Sequence, residues 1–255
     1  HMTLPYRNIA VVILAAGLGT RMKSQKAKVL HEVLGRPMIL YVVDIATRIA
    51  GDDVILVVGH QAERVRQIVS AQAQTEYAHQ DQQLGTGHAV LCALSHVPDH
   101  SRHVVILCGD VPLVKTDTLK DFVGDHLDHR RHLSVLAVRA DNPTGYGRIL
   151  MDADHHVTGI VEEADASEEQ RKIDVINTGI YCVEKAFLNH SLRKIDTDNA
   201  QGELYLTDII GIGHRENKTL GAVIAGDDRE FIGVNSQTDL TAVESIMRSR
   251  QSDDS

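Results

Sequence analysis

The stretch Ile9-Ala10-Val11-Val12-Ile13-Leu14-Ala15-Ala16-Gly17-Leu18-Gly19-Thr20-Arg21-Met22 decides how the chain folds. An unbroken apolar run of this length, with no polar alternation, reads as a strand covered on both faces. The alanines and glycines behind it permit a tight turn and let a ligand approach backbone N–H groups, as in an anion-binding nest. The spacing is not the dinucleotide-binding GxGxxG, because Met22 holds the third glycine position, and no Gly-Lys-Ser/Thr follows to make a P-loop. Instead Arg21, Lys23, Lys26, Lys28 and Arg36 stand against the single acid Glu32, a basic island in a chain of net charge −9. Placed directly after the first strand, that island reads as a site for a small polyanion.

Outward from this stretch, strand-length and helix-length segments alternate. Strands are expected at Ile9–Ala15, Val54–Val58, Thr75–His79, His103–Cys108, Leu133–Val138, Val157–Val161, Ile176–Val183 and Leu220–Ala225. Helices are expected at Met38–Ala50, Glu63–Gln72, Gly87–His96, Thr118–Arg131, Glu184–Ile195, Glu203–Glu216 and Thr238–Arg248. Met38, Val42, Ile45 and Ile49, and likewise Leu119, Phe122, Val123 and Leu127, recur with a helical period and give each helix one apolar stripe to bury. The expected fold is α/β, with a mostly parallel central sheet, helices on both faces, and an antiparallel insertion between Leu133 and Val183 where the alternation breaks. In such sheets ligands bind beyond the carboxyl ends of the strands.

The chain has 255 residues, 43% of them apolar and 24% charged, which excludes disorder and fibre. The longest uncharged stretch, Gln82 to Pro98, is too polar to span a bilayer. His1-Met2 reads as a cloning remnant and Thr3 to Asn8 is short and polar, so no secretory signal is expected and a cytoplasmic location follows. The net negative charge argues against a nucleic-acid partner. Cys92, Cys108 and Cys182 are odd in number, widely spaced and set in apolar runs, as suits reduced thiols. His126, His129, His132, His155 and His156 lack the spacing of a zinc site and are expected to face solvent.

A second loop carries chemistry: in Leu107-Cys108-Gly109-Asp110-Val111-Pro112-Leu113 an apolar strand ends in an acid, which can ligate a hard cation that in turn holds phosphates. These two loops, with Lys28-Val29-Leu30-His31, Gln83-Leu84-Gly85-Thr86-Gly87-His88-Ala89-Val90, Gly145-Tyr146-Gly147-Arg148-Ile149, Val161-Glu162, Ile176-Asn177-Thr178-Gly179 and Gly233-Val234-Asn235, occur in an order that resembles the uridyltransferase domain of bifunctional N-acetylglucosamine-1-phosphate uridyltransferases of the GlmU type. The resemblance runs from about Asn8 to Asn235 and implies a Rossmann-like nucleotide-diphospho-sugar transferase fold with a small antiparallel sugar-binding insertion.

The resemblance further implies that Leu14, Ala15, Ala16 and Gly17 lie against uracil and ribose, with Gln83, Gly85 and Thr86 completing base recognition. Gly19, Thr20, Arg21 and Lys28 would hold the triphosphate, Arg21 and Lys28 as the catalytic cations. Asp110 and Asn235 would hold Mg²⁺, and Gly147, Glu162 and Asn177 would grip the sugar. The implied reaction joins UTP and N-acetylglucosamine 1-phosphate into UDP-N-acetylglucosamine with release of pyrophosphate, in the cytoplasm, as a step toward cell-wall peptidoglycan. His31 and His88 are expected to orient backbone, since an attacking phosphate needs no general base. Another sugar 1-phosphate or base, and a nucleotide-sugar binding module without turnover, are the competing readings.

The chain departs from the family pattern in two places. Ala27 stands where the family commonly has proline, so the Lys28 loop is expected to be looser. No hexapeptide repeats of a left-handed β-helix occur, and the family's trimer is therefore not expected. The layout read from sequence is a nucleotidyltransferase domain over 3–235, then a C-terminal helix with Ser236 as its N-cap and a disordered tail from Gln251, together 236–255.

Overall fold

The first strand, β1 (Ile9–Leu14), lies in the middle of the sheet, and its alternate side chains enter two different cores. The computed structural model describes residues 6–253. In chain order, two 3₁₀ turns (Thr20–Met22 and Lys28–Leu30) and a short ribbon of β2 (Glu32–Val33) and β3 (Arg36–Pro37) lead to α1 (Met38–Ala50). Then come β4 (Val54–Val58), α2 (Ala62–Ser70), β5 (Glu76–His79), α3 (Thr86–Ala93), β6 (His103–Cys108) and α4 (Thr116–Asp128). The remainder is β7 (Leu133–Arg139), β8 (Arg148–Met151), β9 (Val157–Val161), α5 (Glu168–Arg171), β10 (Val175–Glu184), α6 (Lys185–Leu192), α7 (Asp208–Arg215), β11 (Leu220–Ala225) and α8 (Gln237–Asp253).

The sheet runs β11-β7-β10-β6-β1-β4-β5, with β10 antiparallel to both neighbours and every other pair along that order parallel. Val11 and Ile13 pack with Ile39, Val43 and Phe122 under α1 and α4, while Ala10 and Val12 pack with Val90, Leu188 and Ile209 under α3, α6 and α7. Burial on both faces is what the unbroken apolar strands require. A third, smaller cluster of Met22, Val33, Met38, Leu113, Val234 and Val243 joins α8 and the β2–β3 ribbon to the loops behind β1 and β6.

Strand order turns around at β1. The chain moves from β1 to β4 and β5 on one side, then returns to β6 on the other, so loops leaving the carboxyl ends of β1 and β6 diverge and open a crevice between them.

The structure corrects the sequence reading in four places. The section from Leu133 to Val183 is not wholly an insertion: β7 and β10 belong to the central sheet, and the β8–β9 hairpin alone stands off it. The helix expected from Glu203 starts only at Asp208, because 203–207 is an irregular segment held by Leu204 against Leu84 and Gly87. The expected tail is helical through Asp253, since nothing in Gln251–Asp253 breaks α8. Finally, the short strands β2, β3 and β8 escape a periodicity reading. Residues 1–5 and 254–255, which include the expected cloning remnant and the end of the expected tail, lie outside the described residues.

Candidate active site

Gln83 closes one side of the crevice. Its amide donates to Ala16 O at 2.9 Å and so ties the loop before α3 to the loop after β1. Behind it the buried Gln80 donates to Gly85 O at 3.2 Å and meets His88 Nδ1 at 3.0 Å. His88 therefore orients a side-chain amide rather than backbone. Gly85 has φ +109, and a Cβ there would lie 2.6 Å from Leu204 O, so only glycine lets these two segments touch. Leu14, Ala15, Ala16, Gly17, Lys28, Gln83, Gly85, Thr86 and Asp110 line one cleft of about 260 Å³, together with Gln80, Cys108 and Glu203. Gly19, Thr20 and Arg21 sit on the adjoining turn, outside the lining, with Arg21 exposed.

Lys28 is the electrostatic centre of the cleft. Gly19, in the left-handed region, packs on the Lys28 stem where any side chain would clash. The Lys28 ammonium reaches Asp110 Oδ2 at 2.6 Å and Asn235 Oδ1 at 3.1 Å. Asp110 follows β6 and Asn235 precedes α8. The two loops are joined by Val234 N donating to Asp110 O at 2.9 Å. Ser236 caps α8 by accepting from Asp239 N at 3.2 Å, and Asp239 in turn accepts from Asn235 N at 2.9 Å, a reciprocal cap that fixes Asn235. The expected looseness at Ala27 is offset locally: Ala27 is buried and its N–H, which proline lacks, donates to Gln61 Oε1 at 2.8 Å.

Two oxygens from separate loops thus converge on one cation. Hard oxygen donors with a single carboxylate suit Mg²⁺, which keeps most of its waters, so the donor set fits the expected metal. The described residues also bring Asp152, Asp154 and His156 together on the exposed turn between β8 and β9. There the Asp152 carboxylate is already engaged with the backbone N–H groups of Asp154 and His156.

Gly147, Glu162 and Asn177 come from three segments and meet. A Cβ on Gly147 would lie 3.3 Å from Glu162 Oε2 and 3.6 Å from Asn177 Cβ. Between Asn177 and Ile180 the pairing of β10 with β7 slips, and the bulge lets Asn177 Nδ2 donate to the buried Tyr181 hydroxyl at 2.8 Å. Burial pushes the Glu162 carboxyl up, partly countered by the Thr207 hydroxyl, which donates to it at 3.1 Å. Thr207 and Tyr181 join this cluster although no motif in the sequence marks either one. Asp208 itself lines a different cavity of about 270 Å³ with Asp196, Asp198, Lys194 and Arg215.

Of the histidines expected to face solvent, His126 does not. It is fully buried in α4, bonded to Ser134 Oγ at 2.8 Å and to His103 Nδ1 at 3.0 Å, and burial pushes it down to about 3. His31 is also buried, with its backbone engaged by Lys28 and Met38. Cys108, at the end of β6, packs against Gly179 and is pushed up to about 12 by burial. No helix among the described residues is long and apolar enough to cross a membrane.

With this geometry in hand, three comparisons bear on the chain. A family model for the MobA-like NTP transferase domain matches residues 11–173. The chain is 45% identical over 242 residues to the bifunctional protein GlmU of Geotalea daltonii, covering 95% of this chain and 53% of that one. The GlmU proteins of Caldanaerobacter subterraneus subsp. tengcongensis (46% over 239 residues, 94% and 51% covered) and Geobacter sulfurreducens (46% over 233 residues, 91% and 49%) are similar. The chain spans about half the length of these relatives. A solved structure from Bacillus anthracis, described as a glucose-1-phosphate thymidylyltransferase in complex with a sucrose, superposes with TM-score 0.73 at 20% identity over 94% of this chain and 95% of that one, a likeness of fold.

Proposed function

The chain belongs to the family of MobA-like NTP transferase domains, and from that premise we propose that it moves a uridylyl group from UTP to N-acetylglucosamine 1-phosphate, with Mg²⁺ held by Asp110 and Asn235. The observation that carries the reading is the Lys28 ammonium bridging Asp110 and Asn235 at the mouth of the cleft that Gln83 closes. The choice of uridine and of an acetylated amino sugar rests on the likeness to proteins named GlmU and on the ordered motifs.

In the proposed reaction a phosphate oxygen of the sugar 1-phosphate forms a new bond to the α-phosphorus of UTP, while the bond to the β-phosphate oxygen breaks and pyrophosphate departs. The attacking group is already an anion, so no protein base or nucleophile is required. What the protein supplies is position and positive charge. Leu14–Gly17, Gln83, Gly85 and Thr86 bind uridine; a Gln amide both donates to and accepts from a pyrimidine edge. Gly19, Thr20, Arg21 and Lys28 hold the phosphates, and Gly147, Glu162 and Asn177, supported by Thr207 and Tyr181, take the sugar. The cation, when bound, acts as a template and Lewis acid for phosphate oxygens.

Incubation with UTP labelled at the α-phosphate and with N-acetylglucosamine 1-phosphate tests the bond assignment. Label should appear in the sugar nucleotide and none in pyrophosphate. Label left in UMP, or acceptor-independent breakdown of UTP, would contradict it.

A further inference from the structure

We propose that Arg148 is a positioning residue for the acceptor sugar: without touching it, the guanidinium fixes the mutual spacing of the three segments that carry Gly147, Glu162 and Asn177. This inference rests on the reading of those three residues as the sugar side.

Arg148 is 1% exposed, and its guanidinium is spent on main chain and one acid. Nε donates to Ile173 O at 3.1 Å, Nη2 donates to Arg171 O at 3.2 Å, and Nη1 donates to Tyr146 O and lies 2.7 Å from Glu163 Oε2. These partners divide among three stretches. Tyr146 adjoins Gly147, Glu163 adjoins Glu162, and Arg171 and Ile173 sit on the approach to β10, which carries Asn177. The Arg148 bond and charge hold the Glu163 carboxyl below the usual carboxylate range, as an intact pair should.

The hairpin that bears this arginine needs the cross-link. It joins β10 through one register pair, Ile176 with Arg148, and through Asn177 N donating to Gly147 O at 2.9 Å, while β9 rests on α7 and β11 and, among the described residues, no such strand bond reaches the Glu162 segment from β10. A Cβ on Gly147 would stand 3.0 Å from Ile160 Cγ2 as well as close to Glu162 and Asn177, so the three segments meet within the reach of one methyl group. A shift of about 1 Å in such a constellation is worth roughly a hundredfold in rate. No partner of Arg148 belongs to the lining of the nucleotide cleft. Lysine preserves charge but not the planar fork that reaches several acceptors at once.

The test compares wild type, Arg148→Lys and Glu163→Gln in steady-state kinetics with both substrates varied, beside UTP binding by calorimetry. Arg148→Lys should raise KM for the sugar 1-phosphate at least tenfold while KM and Kd for UTP stay within twofold. Glu163→Gln, which keeps the main-chain bonds of Arg148, should raise the acceptor KM severalfold and serves if the lysine variant does not fold. An unchanged acceptor KM, or equal rises for both substrates, would overturn the positioning role. Absence of wild-type turnover with any sugar 1-phosphate, with UTP still bound, would instead sink the underlying reading of the site.

Discussion

Replacing Lys28 by methionine removes a charge that stands where the proposed cation belongs, and the size of the effect follows from the contacts. The ammonium lies 2.6 Å from Asp110 Oδ2, with the two side chains only 17% and 19% exposed, and 3.1 Å from Asn235 Oδ1. The gross attraction at that distance is roughly 6 kcal/mol at an effective dielectric of about 20, most of which desolvation offsets. The net worth of a charge-assisted hydrogen bond is about 1.5–3 kcal/mol. A divalent cation that binds in the absence of nucleotide must displace this contact. Lys28→Met should therefore tighten nucleotide-free Mn²⁺ binding by about tenfold to a hundredfold, since about 1.4 kcal/mol is a factor of ten. With UTP present the advantage should vanish, because the triphosphate offers wild-type Lys28 a new partner; by linkage, Mn²⁺ and UTP should strengthen each other less in the variant. Turnover should fall by about a hundredfold, as for loss of one transition-state donor, with a much smaller rise in KM for UTP. The assay is the electron paramagnetic resonance signal of free Mn²⁺, titrated with and without UTP, with Asp110→Asn as the control that loses binding in both states. A methionine variant that binds Mn²⁺ no better than wild type without nucleotide would refute the reasoning.

Three further outcomes follow from the same geometry. Gly85→Ala, forced to φ +109 with its Cβ 2.6 Å from Leu204 O, should cost roughly 1–3 kcal/mol in urea unfolding and weaken UTP binding; an unchanged midpoint would contradict the close approach. Gln61→Ala removes the acceptor of the Ala27 N–H, so it should cost about 1 kcal/mol and raise KM for UTP severalfold, whereas an unmoved KM would show that the bond does not steady the Lys28 loop. His126, pressed by burial and by His103, Arg131 and His132 against the weaker pull of Asp125, is pushed from 6.5 down to about 3. The unfolded chain takes up a proton that the folded one refuses, so stability falls as pH drops from about 6.5 toward 3. Urea midpoints should lose part of that slope in His126→Gln, and an identical slope would exclude His126 as its source.

Much of the fold is legible in the sequence because burial on both faces leaves the central strands β1 and β4 no polar residues. β4, β6, β9, β11 and α1 carry the boundaries read from periodicity alone, and β1 differs by one residue. The reading stops where structure depends on distant partners. Arg148–Met151 becomes a strand by pairing with β9 and, at Arg148, with β10, and the polar Arg148 at its head hides the signal. Glu203–Thr207 has helical spacing, but main-chain bonds hold Leu204 to Leu84 and Gly87, neighbours invisible to a local pattern. His126 looks like a surface residue because its partners, Ser134 and His103, lie on other elements. At the site, the glycine-rich loops, Lys28 and Asp110 announce themselves by charge and position. Thr207, Tyr181 and Gln80 do not, since each is polar in an ordinary way until folding sets it against Glu162, Asn177 or Gly85.

The central claim is a metal-dependent uridylyl transfer in the cleft between β1 and β6. Pyrophosphate release by the purified chain tests it most directly, with UTP, CTP, GTP and dTTP each paired with a panel of sugar 1-phosphates, in Mg²⁺ and again in EDTA. The account predicts release that is largest with UTP and N-acetylglucosamine 1-phosphate and abolished by the chelator. Release with another pair, release indifferent to metal, or none at all while UTP still binds, would contradict it.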